Sequence, residues 1–373
     1  MDYTFTTKDK FMFEKYFGKE EVNIGRQEEF DIARAFSIIG MIFTHCYEMS
    51  GVGFSTGFGY IITTVLGSFL GAPLFMFYMG AAVRYSRNAT FEGLAKRGII
   101  IFILAYALNI FRRILPDMVV SAHDGVVLET NYYLTLLISC DILQFAGLAL
   151  IALGIIIEFK IPDKAVLLTG AVLSVIGTFT CGIDFGSKGF NSLFGLFLGT
   201  KIQGSSGGFF SFFHYFIFVA AGYVFGKYWK RCKDKKGFFV RFSPVCGIIG
   251  IICFVIEIRT GNGVAAAGNN LVAYYYLSFW DAIICFLNAI AFSGLYYWVF
   301  RVFPKWVTRA SRVMSSNIGI VYFVHLILAR WIIYVLLMTY LEVEITVNIV
   351  IMVALFLIVL SYIVARLYTG KKI

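Results

Sequence analysis

The stretch from Phe30 to Glu48, FDIARAFSIIGMIFTHCYE, decides how the rest of the chain is understood. It has the apolar character and the length, about 20 residues, that cross roughly 30 Å of hydrocarbon as a helix. Yet it holds an arginine, Arg34, and, after ten intervening residues, a histidine, His45. With about 1.5 Å rise per residue and 3.6 residues per turn, the spacing puts both side chains on one face about 16 Å apart. Asp31, Ile38 and Met41 share that face. A charged group near a bilayer centre costs a few kcal/mol on the most lenient scale, so such residues line cavities or proton paths and seldom face lipid. The helix is therefore expected to form one wall of an active site.

Composition generalises the first inference. Of the 373 residues, 59% are hydrophobic and 14% charged, where soluble domains carry about a quarter charged residues. Apolar runs of spanning length recur near 30–48, 58–83, 96–115, 133–157, 164–182, 209–228, 240–257, 273–300, 313–340 and 345–368. The expected fold is all-α, a polytopic membrane bundle of about ten transmembrane helices. Residues 1–29 form a cytoplasmic N-terminal segment, 30–368 the transmembrane domain and 369–373 a cytoplasmic tail.

The distribution of lysine and arginine orients this bundle, because cytoplasmic loops retain positive charge. With the N-terminus inside, only Arg112, Arg113, Lys188, Lys201 and Arg259 fall in outward loops, and Arg34 and Arg330 fall within spans; the rest of the 32 basic residues are cytoplasmic. Both termini are thus expected inside a cell membrane crossed many times. The net charge of +10 reflects this topology and lies against anionic lipid headgroups, so it is no argument for nucleic acid as a partner.

Met1 to Glu29 lacks the apolar core of a signal peptide. The seven cysteines stand singly, without a Cys-x-x-Cys pair, so neither a metal cage nor a disulfide framework is expected. Two outward stretches are long enough for structure of their own. One is 116–132, with His123, Asp124 and Glu129. The other, 183–208, reads as a short re-entrant segment or as an ordinary loop. The basic loop Lys227 to Lys236 reads as a solvated anchor or as a surface for an anionic ligand.

Counting depth along each span places His45, Glu48, Asn109, Asp141, Gln144, His214, Asp281, His325 and Arg330 in the middle or outer half, and Arg34 about one turn in from the cytoplasm. His45 and His325 reach a similar depth. Glu48 follows His45 at i+3, where a carboxylate orients the imidazole and raises its basicity. Asp31 suits the positive end of the helix and pairs with Arg34 at i+3. Asp141 and Gln144 form an i, i+3 pair on the fourth span, either a substrate contact or interhelical glue. His214 and Asp281 read as substrate contacts or interfacial anchors, and Arg330 as the partner of Glu342 or Glu344 at the outer edge.

Taken together, these residues resemble a known family. Arginine, ten residues and histidine in the first span is similar to the signature of the integral-membrane acyltransferases of acyltransferase family 3, and of the wider superfamily that includes heparan-alpha-glucosaminide N-acetyltransferase. Three more stretches agree. Ala72 to Arg84 (APLFMFYMGAAVR) resembles the second-span pattern, with Lys96 and Arg97 where a basic pair opens the third span. Asp141 to Gly147 (DILQFAG) is similar to the Leu-Gln segment of the heparan-type branch, and Ser315 to Leu326 (SSNIGIVYFVHL) to the late Tyr-x-x-His helix.

The resemblance implies an enzyme that takes an acyl group, usually acetyl, from cytosolic acyl-CoA and delivers it to an extracytoplasmic acceptor, a cell-envelope glycan or lipid-linked sugar. It implies that Arg34, positioned by Asp31, holds the coenzyme phosphates with Lys96 and Arg97. His45 acts as general base or as nucleophile, and His325 assists protonation or binds acceptor. Acyl-CoA is then the donor substrate, no metal is implied, and a homodimer is a possible assembly. The rival class is a transporter or proton-coupled carrier using Arg34, His45, Asp141 and His325 as a path. A convincing half-to-half repeat, typical of that class, is not found.

Overall fold

The computed structural model describes residues 14–52, 59, 66–67, 70–202, 208–260 and 275–370. The expected beginning of the second span and most of the run Gly204 to Gly208 lie outside them. The described chain is a helical bundle. Its elements are α1 (Glu28–Ser50), α2 (Ala72–Val83), α3 (Phe91–His123), α4 (Thr130–Ile138), α5 (Ile142–Glu158), α6 (Asp163–Phe179) and α7 (Lys188–Phe194). They continue with α8 (Phe212–Lys230), α9 (Lys235–Thr260), α10 (Phe279–Val302), α11 (Lys305–Ser316), α12 (Ile318–Tyr340) and α13 (Val347–Gly370). Four described helices, α3, α9, α12 and α13, are long and apolar enough to cross a membrane, and α2, α5 and α10 supply shorter apolar segments. The helical membrane bundle expected from the sequence is what forms.

The first helix is central. It starts with Glu28, Glu29 and Asp31 at the positive end of its dipole, and stops at Gly51, whose φ of 68° is the left-handed conformation that ends helices. It packs against α2, α10, α11, α12 and α13, so Ile38, Ile42, Cys46 and Tyr47 are fully buried. Around it, α2 lies on α8 and α3 on α5. Both contacts depend on glycine: a Cβ at Gly222 would strike the Phe77 carbonyl, and one at Gly98 the Gly147 carbonyl. This close approach of backbones is how membrane helices gain packing where lipid offers no hydrophobic drive.

The helix boundaries differ from the hydropathy pattern in three places that matter. The expected third span, 96–115, continues as one helix to His123, widening into a π-helical turn over Ile110–Ile114. Pro116 has no N–H to offer the Arg112 carbonyl, which accounts for the local change in hydrogen bonding. Arg112 and Arg113 are therefore inside a helix rather than in an outward loop. The expected fourth span, 133–157, is broken between α4 and α5. Asp141 caps α5, accepting from the Ile142 N–H at 2.7 Å, while Gln144 Oε1 accepts from the Asp141 N–H at 3.0 Å. This reciprocal cap replaces the expected mid-helix pair. The carbonyls freed at the break, Leu137 and Ser139, accept from Asn109 Nδ2 at 2.9 and 2.8 Å, so irregular backbone is satisfied by protein. The expected ninth span, 313–340, turns at Asn317, where α11 meets α12.

Side-chain bonds gather the connecting segments into two groups. At the end where α1 begins, Asn23 donates to the Trp229 and Cys232 carbonyls, and Arg26 to Ser316. Arg84 and Lys227 both pair with Asp163. At the end where α1 stops, Tyr275 reaches Glu48, and Arg330 pairs with Asp117.

Candidate active site

The C-terminal half of α1 presents Met41, Thr44, His45, Glu48 and Met49 to a cavity of about 200 Å³. His45 stands 2.9 Å from Glu48 through Nδ1 to Oε2, one turn along the same helix. The Tyr275 hydroxyl donates to the other oxygen, Oε1, at 3.2 Å. A carboxylate only accepts, so Nδ1 carries the proton, and the lone pair of His45 is on Nε2. This is the orientation by Glu48 that the i+3 spacing predicts.

His325 lies beside it. The two imidazoles are stacked, with centroids 5.6 Å apart and planes 23° from parallel. His325 Nδ1 donates to the Val321 carbonyl at 2.7 Å, and its buried Nε2 has no protein partner. The Tyr322 ring, one turn before His325 on α12, meets both imidazoles edge-on, at 5.3 Å from His325 and 6.3 Å from His45.

The opposite wall comes from the π turn of α3 and the break before α5. Arg112 pairs with Asp141 and also donates to Asn109. Arg113 donates to Ser139 Oγ at 3.0 Å, stands 3.9 Å from Asp141 and lies over the Phe209 ring. Arg330 pairs with Asp117 at 2.8 Å, and the Tyr132 hydroxyl donates to the same carboxylate at 2.6 Å. Asp117 thus takes the place of the expected Glu342 or Glu344, because Arg330 points into the bundle while Glu342 lies in an exposed left-handed turn, φ 49°. Arg112, Arg113, Asp117, Asp141 and Arg330 all line the cavity. Its charges are largely matched, as burial requires.

The group at the start of α1 is arranged differently. Asp31, almost fully buried, accepts from Arg34 at 3.0 Å, from Arg26 at 2.5 Å and from Ser315 at 2.8 Å. Arg34 also donates to the Phe30 carbonyl. The cavity does not extend to Arg34: its α1 wall begins at Met41, and Ile38 between them is fully buried. Lys96 and Arg97 are exposed on the first turns of α3, and no described hydrogen bond or ion pair links them to Arg34.

Of the remaining sequence-predicted residues, Asp141 lines the cavity and Gln144 fixes it through the cap. His214 and Asp281 lie elsewhere. The His214 ring packs against Gly177 and Gly199, bonded to Ser211 at 2.5 Å, and Asp281 accepts from the Ser278 N–H at 2.7 Å at the start of α10. Neither borders the cavity. Sequence reasoning missed Arg112, Arg113, Asp117 and Tyr275, and it gave no role to Tyr322, the tyrosine of the Tyr-x-x-His stretch. One signal was present: an Arg-Arg pair in a segment read as outward breaks the charge bias of the other loops so read, and such an exception marks basic residues held for another purpose.

A paired-charge cavity with two stacked imidazoles, set within a helical membrane bundle, defines an intramembrane polar site. The chain matches the model of the heparan-alpha-glucosaminide N-acetyltransferase catalytic family over residues 26–255, and it belongs to that family. It is accordingly a membrane enzyme of the acetyltransferase type. The matched region contains Arg34, His45, Glu48, Arg112 and Asp141, and ends before Tyr275, Tyr322 and His325. Neither the curated proteins nor the solved structures give a significant match.

Proposed function

We propose that this protein moves an acetyl group from cytosolic acetyl-CoA to a hydroxyl or amine of an extracytoplasmic acceptor, a cell-envelope glycan or lipid-linked sugar. The observation that carries this reading is the chain Tyr275, Glu48, His45 opening on the cavity. A carboxylate that holds Nδ1–H leaves Nε2 as a directed base. The acceptor gives its proton to His45 Nε2 while its oxygen or nitrogen bonds to the thioester carbon. The tetrahedral adduct then collapses, the C–S bond breaks, and the coenzyme thiolate takes the proton from the imidazolium. Glu48 stabilises that transient positive charge. His325 and Asp141 contact the acceptor.

Arg34, with Lys96 and Arg97, binds the coenzyme phosphates by charge-assisted hydrogen bonds. The pantetheine arm follows the face of α1 for about 16 Å, displacing Ile38 and Met41 to reach His45. The charge distribution of the loops supports a cell membrane crossed many times with both termini cytoplasmic. The grouping of residues 17–26, 84, 163, 227–235 and 312–316 at one end of the bundle fits the same orientation.

The test is transfer of label from radiolabelled acetyl-CoA by purified protein in detergent. We expect loss of the thioester by the wild type and none by His45→Ala at unchanged monodispersity; full turnover by that variant removes His45 from the chemistry.

A further inference from the structure

Acyl transfer needs a hydrogen-bond donor aimed at the carbonyl oxygen as it becomes an oxyanion. Each arginine of the cavity already has a carboxylate or hydroxyl partner, although the buried Arg330 Nε is left without one. Arg112 is bound to Asp141, Arg113 to Ser139, and Arg330 to Asp117 with its guanidinium 3.7 Å over the Tyr334 ring. Tyr322 is different. It borders the cavity, its side chain is buried with only 4% of the residue exposed, and its hydroxyl has no hydrogen-bond partner. A buried hydroxyl left unpaired is unfavourable, and one that borders a cavity calls for a partner there, whether water, an ion or a ligand. The ring is fixed edge-on against both imidazoles, one turn before His325, so its position relative to the base at His45 is set by rigid packing.

We propose that Tyr322 is a catalytic residue whose hydroxyl donates to the acyl carbonyl oxygen during transfer. This rests on the acetyl-transfer reading of the cavity. As the acceptor bonds to the carbonyl carbon, the π pair of the C=O bond moves onto oxygen, and the Tyr322 O–H shortens its hydrogen bond to that oxygen without giving up its proton. When the C–S bond breaks, the pair returns to reform the carbonyl and the hydrogen bond relaxes. Tyr322 thus supplies the donor missing from the set of His45, Glu48 and His325.

The experiment compares wild type, Tyr322→Phe and His45→Ala in detergent, measuring release of labelled acetate from acetyl-CoA with water as acceptor, together with melting temperature. Phenylalanine keeps the ring and removes only the donor. Loss of one oxyanion donor lowers kcat about 10²- to 10³-fold, so Tyr322→Phe should fall by that factor with KM for acetyl-CoA and melting temperature maintained. A Tyr322→Phe protein with wild-type kcat, beside an inactive His45→Ala, overturns the assignment of Tyr322 alone. A loss confined to KM, or accompanied by a lower melting temperature, also overturns it. No acetate release by the wild type, or equal release by all three proteins, overturns the acetyl-transfer reading itself.

Discussion

Glu48 and His45 face each other across 2.9 Å on successive turns of one buried helix, and a second donor, Tyr275, holds the carboxylate from behind. The pair is therefore positioned twice, by helix geometry and by a contact from across the bundle. Replacing Glu48 with Gln keeps the shape and lets the amide present either end to the ring. General acid-base assistance is worth about 10²- to 10⁴-fold. We expect Glu48→Gln to lower kcat for acetyl transfer by at least the smaller of these factors, with little change in KM. Steady-state kinetics check this, and a variant whose defect is entirely in KM would show that Glu48 binds substrate instead.

The Arg112 and Asp141 pair makes a structural prediction. Asp141 is shared between Arg112 and Arg113 and also caps α5. Removing one partner of a buried ion pair costs about 3–5 kcal/mol, because the other charge is left uncompensated. Asp141→Asn should preserve the cap, since asparagine is as good an N-cap as aspartate, and still lower the melting temperature markedly. Adding Arg112→Gln to that background should recover part of the loss. Equal melting of wild type and Asp141→Asn would mean that the cap, and not the charge, is what Asp141 provides.

The same residues explain what could be read from the sequence. The helical bundle was legible because about 20-residue apolar runs have few other fates, and the His45 and Glu48 pair on α1 was legible because i, i+3 spacing along one helix needs no knowledge of its neighbours. Contacts between helices were not. Hydropathy sees 133–157 as one continuous run; at the break at Ser139 to Asp141 the freed carbonyls are taken by Asn109, from another helix, with help from Gln144. Arg112 and Arg113 were counted with the outward loops although the apolar run reaches 115; Asp141 supplies the compensation with which the helix continues past them. His214 and Asp281 were read from depth as substrate contacts or interfacial anchors, and depth does not say which way a side chain faces.

The loop between α6 and α7 is held by a carboxylate that titrates. Asp184 accepts from Lys201, from Asn191 and from the Gly186 N–H, and the Lys201 ammonium, first among these, draws its pKa down to about 2. A depressed carboxylate contributes to order above its unfolded pKa and loses that contribution as pH falls through the folded value. The loop should therefore stay protected from proteolysis at pH 5 to 7 and loosen only as pH drops below about 4 toward 2. Asp184→Asn should be nicked within 183–201 several-fold faster at neutral pH. Limited proteolysis followed by mass mapping measures it, and identical cleavage in both proteins at neutral pH would remove Asp184 from this role.

Orientation is open to a direct chemical test. Cys181 is exposed and Cys140 and Cys232 are buried, so a Cys181→Ser background is needed before a probe cysteine is added. In intact cells a membrane-impermeant maleimide should label Glu129→Cys and leave Lys235→Cys unlabelled until the cells are opened. The reverse pattern would invert the topology, placing the His45 cavity toward the cytosol and Arg34 away from the coenzyme.

Arg34 tests the donor end, because its guanidinium is held in place and not left to wander. Asp31 fixes it at 3.0 Å and is in turn fixed by Arg26 and Ser315, so the N-terminal segment, α1 and α11 meet at one carboxylate. If that arrangement presents Arg34 to the coenzyme phosphates, Arg34→Ala removes a charge-assisted contact worth roughly 1.5–3 kcal/mol, a rise in KM for acetyl-CoA of about 10- to 100-fold with kcat changed much less. Asp31→Asn should act in the same direction more weakly, since Arg34 remains but loses its main anchor. Arg34→Lys should restore charge without the planar fork and fall between wild type and alanine. Isothermal titration with coenzyme A alone separates binding from turnover: unchanged affinity in Arg34→Ala would assign Arg34 and Asp31 to joining α1 with α11, and the phosphates would have to be held by exposed Lys96 and Arg97 instead.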